Sequence, residues 1–206
     1  MAFSENIDSF LNRARVAIDG ALINETILGY LSEFGYPRDR LQQGKALYET
    51  ALAAQQRRQA EYGEQIAATA ALAQVRETAA ANYMRFLKIA RVACKNDPGA
   101  TTALGLDGTR RKSLSGWLAQ VKQFYANALS SSEILAALAQ FGVTPEKLRA
   151  AQGQLASVEA ASLAQDQETG EAQNATQFRD RVLDELADWL EDYLRSPKLP
   201  WKKRPN

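Results

Sequence analysis

The sequence predicts an all-α protein, a duplicated antiparallel helical bundle with an internal pseudo-two-fold repeat and long helices. Three observations carry this expectation. The six prolines stand at positions 37, 98, 145, 197, 200 and 205, which leaves residues 38–97 and 146–196 free of the main helix breaker. Both stretches are rich in Ala, Gln, Glu, Arg and Leu, strong helix formers, and no window alternates Val, Ile and Thr as a half-buried strand would. Finally, sliding the chain over itself by 107 residues aligns 8–88 with 115–195 without a gap, and 19 of the 81 pairs are identical.

The first element of each repeat is an amphipathic helix. Ile7, Phe10, Leu11, Ala14, Ile18, Ala21, Leu28 and Leu31 recur at three- and four-residue steps, and Leu114, Trp117, Leu118, Val121, Tyr125, Ala128, Leu135 and Leu138 repeat the stripe. Ser130 and Glu133 have the spacing of a capping box, yet the stripe keeps its phase across them. The expectation is therefore one bent helix in each copy. It stops at Phe34-Gly35-Tyr36-Pro37 and at Phe141-Gly142-Val143-Thr144-Pro145. Glycine can take the left-handed conformation that ends a helix, and proline fits the first turn of the next because its missing N–H is not needed there. Thr144 is placed to cap the second of these helices.

Beyond each turn run about fifty residues without strong punctuation. The apolar seam fades at 55–64 and 165–171 and returns at the far ends, where Tyr83, Phe86, Leu87 and Val92 match Leu183, Leu186, Trp189, Leu190, Tyr193 and Leu194 as core-facing positions. Gly63 and Gly170 occupy the faded centres. No Pro, Asn-Gly or Asp-Gly marks a turn there, so the expectation is two continuous helices that cross closely at the glycines. The aromatic stripe Trp117, Phe124, Tyr125 and Phe141, with Tyr83 and Phe86, is expected in the core. The organisation expected is repeat 1 over 4–95, a linker over 96–113 with Leu104 and Leu106 docking a short helical turn, repeat 2 over 114–196, and a basic, Pro-rich tail over 197–206. The two repeats are expected to pack as one domain.

Composition narrows the chemistry. The chain has 206 residues, 25 basic against 24 acidic, no histidine, one cysteine and 36 alanines. Without histidine there is no Ser-His or Cys-His nucleophile pair, no Glu-x-x-His di-iron site and no His-ligated zinc. A lone Cys94 excludes a disulfide within the chain and any CxxC motif. A net charge of +1 gives no strong nucleic-acid signal, no stretch approaches the length of a membrane span, and no basic-then-apolar leader opens the sequence, so a cytoplasmic protein is expected.

Few residues invite chemistry. Glu61 and Glu64, and Glu168 and Glu171, are i, i+3 pairs that put two carboxylates on one helix face in each copy, and a helix crossing there would gather four of them as candidate ligands for a divalent cation. The competing reading is a solvated polar face, which the neighbouring Gln56, Arg57, Arg58, Gln59, Gln65 and Asp166 favour. Arg110, Arg111 and Lys112 precede a helix, where the macrodipole disfavours cations, and with Lys202, Lys203 and Arg204 beside Trp201 they are candidates for holding an anion. Gly105–Ser113 lacks the phosphate-loop order. Cys94 has no activating base in sight. No catalytic residue and no cofactor are expected. The function expected is that of a non-catalytic interaction or scaffold protein with a protein partner, itself or another, acting through its polar long-helix surfaces; the alternative is a helical bundle that binds a small molecule or a divalent metal.

Overall fold

The computed structural model describes residues 6–195. Those residues are 86% helical and contain no strand, so the protein is all-α. The order is α1 (Ile7–Ile23), α2 (Glu25–Glu33), α3 (Arg38–Ala93), α4 (Pro98–Ala103), α5 (Leu114–Ser130), α6 (Ser132–Ala139) and α7 (Pro145–Arg195). The long helices are continuous, 56 residues in α3 and 51 in α7, and both run straight through their central glycines. The basic tail with Trp201, Lys202, Lys203 and Arg204 lies outside the described residues.

Equivalent boundaries recur 107 residues apart: α1 and α5 begin at 7 and 114, α2 and α6 at 25 and 132, α3 and α7 at 38 and 145. The turn chemistry recurs too. Gly35 and Gly142 have φ of +84° and +70°. The N–H groups of Tyr36 and Val143 reach back to the carbonyls of Leu31 and Leu138 at 2.9 and 3.2 Å, closing each helix as a left-handed cap should. Arg40 and Lys147 then donate to the carbonyls of Gly35 and Gly142, at 3.0 and 2.7 Å.

Three expectations need correction. The amphipathic segment is two helices in each half of the chain rather than one bent helix. Asn24 interrupts the first and accepts from the N–H groups of Thr26 and Ile27, both at 3.1 Å, while Ser131 interrupts the second and accepts from Ile134 at 3.2 Å. These side chains satisfy the donors of a fresh N-terminus, so a one-residue break costs little and leaves the apolar stripe in phase. Nor are Gly63 and Gly170 points of close approach, since a Cβ built at either meets nothing within 4 Å. Close packing falls instead at Gly44, where a Cβ would overlap the ring of Trp189. Phe141, Val92 and Leu194, expected in the core, are 48%, 56% and 51% exposed.

The chain divides into two compact units, Met1–Glu64 with Thr169–Asn206, and Gln65–Glu168. The core of the first is Phe10, Leu11, Ala14 and Ala21 of α1, Leu28 and Leu31 of α2, Leu41, Ala51 and Ala54 of α3, and Val182, Leu183, Leu186, Leu190 and Tyr193 of α7. In the second, Tyr83, Leu87 and Ala90 of α3 pack with Val121, Phe124 and Tyr125 of α5, Leu138 of α6, and Leu148, Leu155 and Val158 of α7. Leu104 and Leu106 are buried in that core, so the linker docks as expected, with Asp97 capping α4 through the N–H of Ala100 at 2.9 Å.

Candidate functional site

The helical register places the glutamates one turn apart, as their spacing requires. Glu61 on α3 and Glu171 on α7, both in the first unit, offer carboxylate oxygens within 4.8 Å of each other. The Glu61 side chain is only 12% exposed and pairs with the Arg57 guanidinium at 3.1 Å, while its Oε2 is buried without a hydrogen-bond partner. Arg57 thus supplies part of the countercharge that a cation would supply. Glu168 stands one turn before Glu171 on the same helix, and Glu64 is exposed and outside this group. Arg58 lies 5.0 Å over the ring of Tyr62.

The basic run of the linker is built into the fold. Arg110 donates to the hydroxyl of Tyr83 at 2.8 Å and to the carbonyls of Gly105, Asp107 and Gly108 at 3.0, 2.9 and 3.1 Å. One guanidinium thereby satisfies carbonyls that the irregular linker leaves without backbone partners. Arg91 does the same for Leu106, with bonds of 3.0 and 2.8 Å. The backbone N–H of Arg111 donates to Gln120, and the carbonyl of Lys112 accepts from Arg76, both at 3.2 Å. Cys94 is buried, and burial, with Asp97 beside it, pushes its thiol pKa up, the opposite of what a nucleophile needs.

Two concave surfaces were not read from the sequence. In the first unit a groove of about 530 Å³ runs beside α3, floored by Ala46, Ala53 and Ala54, walled by Phe178 and rimmed by Glu49 and Arg57. Phe178 is 41% exposed, with Arg181 stacked 5.2 Å from its centroid. In the second unit a cleft of about 300 Å³ opens beside the α6–α7 turn, lined by Asn82, Arg85, Phe86, Phe141, Lys147 and Gln154 among others. The signal that could have found the cleft is a mismatch of size or polarity between positions 107 apart: Asn82 against Trp189, Val143 against Tyr36, Gln154 against Leu47.

The fold and these surfaces define an all-α protein of long helices, in which no helix of the described residues is long and apolar enough to cross a membrane. Comparison with protein-family models, with curated proteins and with solved structures finds no match to this chain.

Proposed function

We propose that the chain works by contact rather than by catalysis, as a duplicated helical scaffold that receives an amphipathic helix of a partner protein in the α3 groove of its first unit. The groove carries this reading. Its alanine floor lets a second backbone come close, the half-exposed ring of Phe178 offers an apolar anchor, and the opposite charges of Glu49 and Arg57 on the rim can fix orientation. The recurrence of three helix starts, 7, 25 and 38, at 114, 132 and 145 supports an origin of the scaffold by duplication.

The test is a photo-crosslinking amino acid at the exposed Thr50, which lines the groove, in cells making the full chain. A discrete adduct is expected, and Ala53→Arg or Phe178→Ala should abolish it. An adduct at twice the 22.7 kDa of one chain would make the partner a second copy. Adducts that survive both substitutions would reject the groove as the binding face.

The approach of Glu61 and Glu171 favours a second reading, binding of a divalent cation. It requires a rise in melting temperature on adding manganese or calcium that disappears in the Glu61→Gln, Glu171→Gln double variant.

A further inference from the structure

The cleft of the second unit is best understood against the corresponding place in the first. There Trp189 lies against Gly44, so closely that a Cβ on the glycine would overlap the ring. Tyr36 packs edge-on to Trp189 and Tyr193, with centroids 6.1 and 5.2 Å away, and Arg40 covers Tyr36 at 4.1 Å. That space is packed shut. At the positions 107 residues away Asn82 replaces Trp189 and Val143 replaces Tyr36, both much smaller, while Ala151 stands for Gly44, and a cleft of about 300 Å³ remains. The same helical frame can therefore be filled by side chains, and in the second unit it is left open.

Its lining is selective. Arg85 and Lys147 are its charged residues, and none of the described residues that line it is acidic. Arg85 stands where the first unit has Asp192, and it is exposed and makes no ion pair or hydrogen bond with the described residues. Lys147 gives one proton to the carbonyl of Gly142, at 2.7 Å, which leaves two donors on its ammonium. Asn82 donates to Gln154 at 2.9 Å, pairing the two amides. Phe86, Ile89 and the half-exposed Phe141 supply apolar surface.

We infer that this cleft binds a small amphipathic anion, a carboxylate with a short apolar tail, its charge held by Arg85 and Lys147 and its tail laid against Phe141 and Ile89. The site is independent of the α3 groove, and binding here neither needs nor supplies a protein partner. Two cations with no carboxylate among them favour an anion, and a cleft at the small end of ligand sites suits a small molecule.

The experiment is an NMR titration of the isotope-labelled full chain with 4-phenylbutyrate, with uncharged 4-phenylbutanol as comparison. Shifts confined to the amides of Gly142, Val143, Ala150, Ala151 and their neighbours are expected, with the alcohol binding at least about tenfold more weakly. Asn82→Trp with Ala151→Gly imports the plug of the first unit and should abolish the shifts. Arg85→Gln, at an exposed position, should weaken binding several-fold without altering the fold. The inference is overturned by the absence of shifts up to about 10 mM, where even weak ligands of this size register. Equal binding of the alcohol, or undiminished binding to a folded plugged variant, would overturn it too.

Discussion

Tyr83 and Tyr125 stand side by side in the core of the second unit, ring centroids 6.5 Å apart, but they are held differently. The Tyr83 hydroxyl accepts from Arg110 at 2.8 Å, whereas the Tyr125 hydroxyl is buried with no hydrogen-bond partner. Burial first, and Tyr83 second, push the Tyr125 pKa well above its ordinary value of 10.0. A buried hydroxyl without a partner costs about 1 kcal/mol or more, so Tyr125→Phe should stabilise by about that much, a rise in melting temperature of roughly 2–4 °C. Tyr83→Phe takes the acceptor from Arg110 and should cost about 1–2 kcal/mol. The sign of the pH effect follows from linkage. The folded state keeps the Tyr125 proton that the unfolded state releases above about pH 10, so this stability is fully present below that value and is lost as pH rises beyond it. Tyr193 and Cys94 are also shifted upward by burial, so Tyr125→Phe should shrink the alkaline loss without removing it. Thermal melts at neutral pH and above about pH 10 decide the matter. Equal destabilisation by the two substitutions would mean that Tyr125 has a polar partner after all.

At the scale of the element, glycine has opposite roles within α3. Gly63 sits in open space, as does Gly170 in α7, and each carries only the conformational penalty of a helical glycine. Gly63→Ala and Gly170→Ala should each stabilise by about 0.5–1 kcal/mol. Gly44→Ala should destabilise by roughly 1–3 kcal/mol, because the methyl group needs space that the Trp189 ring already fills. Chemical denaturation of the three variants separates the cases, and a loss of stability at Gly63 would reveal a neighbour pressed against it. The continuity of α3 and α7 was legible from their freedom from proline, and the turns from glycine followed by proline, because those residues act on their own backbone. The breaks at Asn24 and Ser131 were not legible, since a one-residue interruption leaves the apolar stripe in phase. The cleft was hidden for a different reason. Asn82 is unremarkable by itself and becomes informative only when the fold puts Ala151 beside the cleft and gives their counterparts, Trp189 and Gly44, to the packed site.

For the molecule as a whole, the decisive fact is that neither core is built from one half of the chain. The first combines α1, α2 and the beginning of α3 with positions 182–193 of α7, and the second combines the end of α3 with α5, α6 and the beginning of α7. Cutting the chain in the linker, between Gly108 and Thr109, would leave residues 1–108 with the α3 core positions Tyr83, Phe86, Leu87 and Ala90 stripped of Phe124, Tyr125, Leu148 and Leu155. The same fragment would lose Leu183, Leu186 and Leu190 from the core around Phe10, Leu11 and Leu41. Each buried leucine or phenylalanine contributes about 1.5–3 kcal/mol, and a whole domain is stable by only about 5–15 kcal/mol, so losing several such partners from each core removes the margin. Fragments 1–108 and 109–206 should therefore be unfolded or self-associated when made singly. Made together they should co-purify as a one-to-one complex with the helicity of the intact chain, since the cut falls in a linker and leaves every core residue in place. Circular dichroism and sedimentation of the single and mixed fragments provide the check. A monomeric, fully helical 1–108 fragment that melts cooperatively would show that this half of the chain is a folding unit by itself. Dependence of each fragment on the other would mean that the halves of this chain are bound by exchange of their long helices, and that substitutions at Leu183 or Leu186 act on the fold of the amino-terminal half.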